Sequence, residues 1–492
     1  MKPTTEQESI IEAAKQDRNI AINAFAGTGK TTTLTMVARA LPRKRILYLA
    51  FNKAIAEEAK QCMPGNVDAR TFHSLAFRAM RPDMKRLEGR LHGGFVADLF
   101  GLPLLTINKF NFYPSQIGRA VLETVTKFCM DKERLIQVQH IPLPYEMFPH
   151  PSSIPDSIKD IVNRPSSDVE EYKRIVKANA ENLWQIMNDR NSNVPIMHDT
   201  YVKQWSLRSP MIDSDVILFD EAQDASGLFI DIVGRQRHAQ RIWVGDRHQQ
   251  IYEWRNAINA LDLVEVDERL YLTESWRFHQ AIADQANIVL RALGETNPLI
   301  GRGGTSTNSG QAFLCRTNIG ALETYVKLIE QHDDVRLVNA KDLISLIDDC
   351  ESLINGRPTG ALALFKDWIA LLEHADSPQG GDLRPLVDAI SRYTCQGLRS
   401  MLQRGLVERA NITVSTMHRA KGLEWDKVTI INDWNSIKNF QDDPAERRLL
   451  YVAMTRARKE LVLSDIVAMW LKTLKKDQKK QVADASVEEL PF

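Results

Sequence analysis

The chain has no excess of either charge. Lys and Arg total 63 and Asp and Glu total 63, so the formal net charge over 492 residues is zero. No whole-molecule basic field announces a nucleic-acid partner, and any such partner must be held in local grooves. Cysteine is scarce. Cys62, Cys129, Cys315, Cys350 and Cys395 are far apart and odd in number, which argues for a reducing compartment and against zinc or iron–sulfur ligation. No apolar run approaches membrane-spanning length, and Met1-Lys2-Pro3-Thr4-Thr5 opens without an apolar signal region; the expectation is a cytoplasmic protein with no membrane contact. The composition, 43% hydrophobic and 26% charged, is that of a globular chain, and its length calls for about two to four domains.

One stretch organises the rest. Ala24-Phe25-Ala26-Gly27-Thr28-Gly29-Lys30-Thr31 lies between the apolar run 19–23 and the amphipathic stretch 32–41. A strand, a glycine-bearing loop and a helix in that order place backbone N–H groups and a helix N-terminus around a polyphosphate. This is a P-loop, with Ala24 where the consensus has Gly. The binding segment runs through Ala26, Gly27, Thr28, Gly29, Lys30, Thr31 and Thr32. Lys30 is placed to reach the terminal phosphates of ATP, and the Thr31 hydroxyl to hold Mg²⁺.

Before the loop, Gln7 sits at the start of a helical pattern carrying Ile10, Ile11 and Ala14; its amide matches the donor–acceptor edge of adenine, and equally suits a surface helix. After it, 45–50 reads as a buried strand, 52–62 as a helix, and Arg70-Thr71-Phe72-His73-Ser74 begins a third unit. This alternation predicts a parallel sheet with ligands at the carboxyl ends of its strands. From about 80 to 193 the pattern turns to helices and proline-bearing loops without strand alternation. Lys85, Arg86, Lys109, Phe110, Phe112, Tyr113, Lys127 and Lys132 mix bases with aromatics there, as a nucleic-acid groove does and as solvated lysines over a core do.

The sheet pattern resumes at Val216-Ile217-Leu218-Phe219, followed by Asp220-Glu221-Ala222-Gln223-Asp224. An apolar strand ending in paired acids is the second half of a P-loop site: Asp220 to hold Mg²⁺ through water, Glu221 to take the proton of the attacking water. The next strand, 241–244, leads into Gly245 to Arg255. There Gln249 is placed to sense the terminal phosphate, and Tyr252 and Trp254 offer flat faces to unpaired bases.

With these pieces assembled, the chain resembles the superfamily 1 DNA helicases of the UvrD/Rep/PcrA type, over both halves. The motifs that carry the resemblance stand in order: Gln7, the P-loop, Ala50-Phe51-Asn52-Lys53, Thr71-Phe72-His73-Ser74, Asp220 to Asp224, Gly245 to Arg255, Glu274-Ser275-Trp276-Arg277, Leu314-Cys315-Arg316-Thr317-Asn318, Thr416 to Glu424 and Arg447 to Ala457. The wording of Phe51-Asn52-Lys53, Thr71 to Leu75 and Met197-His198-Asp199 is closest to that of the eukaryotic F-box DNA helicases and their bacterial and phage relatives. The resemblance implies an α/β fold of two RecA-like parallel-sheet motor domains with helical insertions. It implies ATP hydrolysis with Mg²⁺, driving 3′-to-5′ movement on single-stranded DNA and at single-strand/duplex junctions, in repair, recombination, replication or phage defence. Arg277 and Arg456 take the two arginine-finger positions, Trp276 the place that stacks on adenine, Glu424 the ribose acceptor and Gly422 the adjoining turn. Asn52, His73, Tyr252, Trp254, Arg255, Arg316 and His418 take the DNA track.

The resemblance also implies the division of the chain: first motor domain 1–79 and 194–268, helical insertion 80–193, second motor domain 269–337 and 407–470, a reduced insertion 338–406, and 471–492 as a basic helix and acidic tail. The reduced insertion places autonomous unwinding in question more than translocation. It leaves a second expectation open, an ATP-hydrolysing, DNA-sensing switch subunit of an effector complex that separates no strands. The last residues, Glu488-Glu489-Leu490-Pro491-Phe492, resemble the acidic, Phe-terminated tip of bacterial single-stranded-DNA-binding proteins and imply docking to a protein that reads such tips; a plain disordered end is the other reading.

Overall fold

Apolar strands joined through helices return in the same direction and therefore pair in parallel. In the computed structural model this builds a six-stranded sheet in the order Glu268–Leu272, Ile20–Ala24, Gln240–Gly245, Val216–Phe219, Ile46–Leu49, Val67–Arg70. The registers Asn23↔Gly245, Phe219↔Trp243, Ile46↔Val216 and Ile46↔Val67 are all parallel. A second sheet, Val335–Leu337, Ile412–Thr416, Gln311–Cys315, Trp425–Ile430, Ala457–Val462, is parallel as well. The expected α/β architecture with two parallel sheets is thus present. The structure describes residues 2–147, 160–251, 257–303, 310–357, 362, 365, 367–375, 383–434 and 443–488. Among them no helix is long and apolar enough to cross a membrane.

The chain divides into two compact units. The first is Met1–Asn23, Thr31–Gly245 and Tyr252–Leu270; the second is Ala24–Lys30, Asp246–Ile251 and Tyr271–Phe492. Most of the P-loop and the segment after strand Gln240–Gly245 therefore group with the second sheet.

Within the first unit, the helices Gly93–Phe100, Pro114–Met130 and Ser167–Asn188 share a core of Val96, Phe112, Val121, Phe128, Tyr172 and Leu183. Two details correct the sequence reading. Strands Leu105–Ile107 and Phe110–Phe112 form an antiparallel hairpin in a region expected to be free of strands, its turn made by Asn108 and Lys109 with φ of 47° and 78°. Of the basic and aromatic set, Arg86 is buried and donates its guanidinium to the carbonyls of Ile186, Met187, Asp189 and Val194. Phe112 is core, and Lys127 pairs with Glu123 and Glu146. These three are structural; Lys109 and Tyr113 are exposed.

In the second unit, the helices Ala340–Ile354, Trp368–Ala375 and Arg384–Arg404 lie in the span expected as a reduced insertion. Leu343, Ile347, Leu371, Leu386 and Leu398 belong to one core with Cys315, Val335, Ile412 and Val414 of the sheet, so these residues of the span pack into the core of the sheet. The last helix runs Asp465–Glu488, through residues 483–488 expected as tail. Its polar sequence has no breaker before Pro491, which is sufficient reason for continuation. Glu489, Leu490, Pro491 and Phe492 of the expected docking tip lie outside the described residues.

Candidate nucleotide and nucleic-acid site

Strand Ile20–Ala24 is buried throughout, and strands Gln240–Gly245 and Val216–Phe219 follow it in the sheet. Their parallel registers send the P-loop, Asp220 to Asp224, and Asp246 to Gln249 out from the same edge, where an open parallel sheet presents its ligands. Gly27 and Gly29 have φ of 74° and 78°, a conformation costly for any residue with a Cβ. A Cβ on Gly27 would also lie 2.5 Å from Arg277 Cβ and 2.6 Å from Ser275 Oγ. The Thr28 hydroxyl donates to Phe25 O at 2.8 Å, and Lys30 opens the helix Lys30–Ala40. Successive N–H groups turning into a helix N-terminus suit a polyphosphate.

In the first unit, Asp220 is almost wholly buried. Its Oδ2 accepts the Tyr48 hydroxyl, and its Oδ1 accepts Glu221 N–H at 2.9 Å. Burial, then the Asp220 charge, push the Tyr48 phenol up, which keeps it a donor. Glu221 adopts φ 53° at the strand exit, and its Oε2 accepts Gln223 Nε2 at 2.5 Å. Gly245 admits that glutamine: a Cβ there would lie 2.1 Å from Gln223 Oε1. The Gln7 amide accepts Thr4 N–H at 3.1 Å and donates to Thr33 Oγ1 at 3.0 Å, tying the first helix to the P-loop helix. Asn52 caps helix Lys53–Cys62 by accepting Ile55 N–H at 2.9 Å. His73 Nε2 lies 2.9 Å from Asp199 Oδ1. His73 and Glu221 also line one cavity of about 180 Å³ with Phe51, Phe72, Phe219 and Phe229.

In the second unit, Arg456 is 2% exposed, and its donors go to neutral oxygens: Val452 O at 2.8 Å, Thr455 Oγ1 at 3.2 Å, Gln249 Oε1 at 3.4 Å and Leu423 O at 3.5 Å. Burial, then repulsion from Arg277, bring its pKa down to about 9. Gln249 Nε2 donates to Asp246 Oδ2 at 2.7 Å, and Lys421 Nζ donates to Gln249 O at 2.7 Å. The Tyr451 hydroxyl donates to Asp246 Oδ2 at 3.0 Å and accepts Ala26 N–H at 3.2 Å. Arg277 Nη2 pairs with Glu424 Oε1 at 2.5 Å, and its Nη1 donates to Thr455 O at 3.0 Å. The Trp276 backbone N–H donates to Gly27 O at 2.9 Å, while its side chain is 48% exposed. Gly422 has φ 85°.

Two of the expected DNA residues of this unit are also engaged. Arg316 Nε and Nη2 grip Glu446 at 2.5–2.9 Å, and Arg316 N–H donates to Asp433 at 2.8 Å. His418 is half-buried, and burial followed by the Arg316 charge takes its pKa down to about 4. Tyr252, Trp254 and Arg255 lie outside the described residues.

Tyr48, Asp246, Tyr451, Arg458 and Asp199 make contacts that the residue pattern does not announce. Tyr48 leaves a trace, a single hydroxyl in the apolar run Ile46–Leu49; Asp199, Asp246 and Tyr451 lie inside motifs that assign them no role.

Residues 4–263 match the UvrD/REP helicase N-terminal domain, and residues 150–467 match the UvrD-like helicase C-terminal domain, each over more than half of the chain. F-box DNA helicase protein 1 of Schizosaccharomyces pombe is 29% identical, covering 94% of this chain and 57% of that protein. F-box DNA helicase 1 of Gallus gallus is 29% identical, covering 94% and 49%. A probable DNA helicase of Mycoplasma pneumoniae is 24% identical, covering 90% and 79%. The chain spans about half the length of the two F-box relatives. On these matches the chain belongs to the UvrD-like helicase family.

Proposed function

We propose that this chain is a DNA-stimulated ATPase that moves 3′ to 5′ along single-stranded DNA and opens duplex at junctions. The observation that carries the nucleotide half is Arg456. A guanidinium 2% exposed, bonded to neutral oxygens with no carboxylate in ion-pair range among the described residues, is costly unless an anion completes it. The P-loop segment Ala24–Lys30 and Gln249 belong to the same unit, and the polyphosphate they suit is that anion.

In this reading Lys30 holds the terminal phosphate as a point charge, and Thr31 and Asp220 hold Mg²⁺, which supplies neutralisation of phosphate charge when bound. Glu221 takes the proton of the attacking water at its carboxylate, oriented by Gln223. Gln249, fixed on Asp246, senses the phosphate and reports to Arg456. Trp276 offers its exposed indole to adenine. Gln7 reads the base only by exchanging its bonds to Thr4 and Thr33. Asn52, His73, Tyr252, Trp254, Arg255, Arg316 and His418 form the DNA track. His418, neutral at pH 7, serves as a hydrogen-bonding group there and not as a cation.

The test is a short duplex with a 3′ or a 5′ single-stranded tail, followed for strand release and ATP turnover together, with Lys30→Ala and Glu221→Gln as controls. Lys30-dependent release from the 3′-tailed substrate alone is expected. Turnover without release from either would favour the DNA-sensing switch subunit, and release from the 5′ tail would reverse the polarity. Glu221→Gln is expected to bind nucleotide and lose about 10²–10⁴-fold in turnover.

A further inference from the structure

Two arginines grip one carboxylate in the second unit, and a third acts on it electrostatically. Arg277 Nη2 is on Glu424 Oε1 at 2.5 Å, and Arg458 Nε and Nη2 are on Glu424 Oε2 at 2.9 and 2.6 Å. Arg456, close enough to act electrostatically on Glu424, has no carboxylate of its own in ion-pair range among the described residues. The Glu424, Arg277 and Arg458 side chains are 24%, 16% and 18% exposed. Burial opposes the Glu424 charge, yet Arg277 and then Arg458 hold its carboxyl below the usual carboxylate range. Both oxygens of the expected ribose acceptor are therefore taken by arginine, and one of those arginines is the expected phosphate finger.

We propose that Glu424 is an exchange point. Its Oε1 holds Arg277 until a nucleoside triphosphate binds, then accepts a sugar hydroxyl as Arg277 passes to the phosphate, while Arg458 stays on Oε2. The proposal rests on the ATPase reading above. Its physical basis is the penalty for a half-buried carboxylate stripped of its only cation. With Arg458 in place Glu424 keeps one partner throughout, so Arg277 leaves at low cost. Arg458 is thus a positioning residue that acts through Glu424. Sugar recognition and delivery of Arg277 become one event, because both use Oε1.

The experiment measures steady-state turnover of ATP and of 2′,3′-dideoxy-ATP by the full chain with single-stranded DNA. The proteins are the parent, Lys30→Ala, Glu424→Gln, Arg458→Met and Arg458→Lys, with thermal melts to verify folding. The parent should turn over the dideoxy substrate about tenfold more slowly at saturation, and Glu424→Gln should reduce that gap to less than about twofold. Arg458→Met should lower kcat for ATP about tenfold with KM within about twofold, and Arg458→Lys should recover most of it. A parent indifferent to the sugar hydroxyls, a gap that persists in Glu424→Gln, or an Arg458→Met that leaves kcat unchanged or moves kcat and KM alike overturns the exchange. Absence of Lys30-dependent turnover in the parent overturns the ATPase reading and the exchange with it. The parent's sugar discrimination needs no variant, so the test survives a failure of Arg458→Met to fold.

Discussion

The Asp246 carboxylate accepts the hydroxyl of Tyr451 at 3.0 Å, and the same oxygen accepts Gln249 Nε2 at 2.7 Å. Tyr451 in turn accepts the Ala26 amide, so one buried hydroxyl links a P-loop N–H to the residue that fixes Gln249, the proposed phosphate sensor. Both Asp246 and Tyr451 are fully buried, so neither bond is replaced by solvent when lost.

Tyr451→Phe keeps the ring and removes only this link. We expect a loss of about 1–3 kcal/mol in urea unfolding, the cost of buried polar groups short of a partner. Turnover should fall while nucleotide affinity changes little, because Gln249 loses its fixed orientation. Unchanged unfolding and turnover together would show that the hydroxyl carries no such role.

For Arg456→Met, stability and activity should part. Replacing a buried cation that has only neutral partners by an apolar chain is expected to leave apo stability within about 1 kcal/mol of the parent or above it. ATP turnover should drop by about 10³-fold or more, as for loss of an arginine finger. Differential scanning fluorimetry and a phosphate-release assay separate the two. A destabilised apo protein would assign the guanidinium to holding Val452 and Leu423 instead.

At Gly245 a Cβ would meet Gln223 Oε1 at 2.1 Å and backbone at 3.1 Å, whereas one at Gly234 meets nothing within 4 Å. Gly245→Ala should therefore cost about 1–3 kcal/mol and displace the partner of Glu221, and Gly234→Ala should stay within about 0.5 kcal/mol. Equal effects in chemical denaturation would contradict the close approach.

His418 sets a pH dependence. Its folded pKa of about 4 lies below the ordinary imidazole value of 6.5, so the unfolded chain binds its proton first, and stability falls as pH drops from about 6.5 to 4. After allowance for partial solvent access, the loss through this group is about 2 kcal/mol. Unfolding free energies from urea melts of the parent and His418→Asn should diverge by about this amount between pH 7 and pH 4; parallel curves would exclude the assignment.

Much of the fold was legible because strand, loop and helix signals are local. The run Val216–Phe219 is a strand at the expected residues, and the P-loop lies between strand and helix as its residues dictate. The hairpin Leu105–Ile107 with Phe110–Phe112 was missed, because three-residue strands give too little alternation to read. Arg86 and Phe112 suited a groove and a packed core alike, and only packing shows that they face inward.

By itself the sequence determined the order of the chemistry: which residues follow which strand, and hence that a P-loop lysine, two acids and a glutamine leave one edge of a parallel sheet. Backbone geometry and periodicity are properties of neighbouring residues, so they survive in the sequence. Tertiary structure alone decided the partners. Glu424, expected to be open to a sugar, is held by Arg277 and Arg458, while Arg456 is buried on neutral oxygens. Charge pairing depends on which distant residues meet and on how much water is removed around them, and no spacing along the chain encodes that.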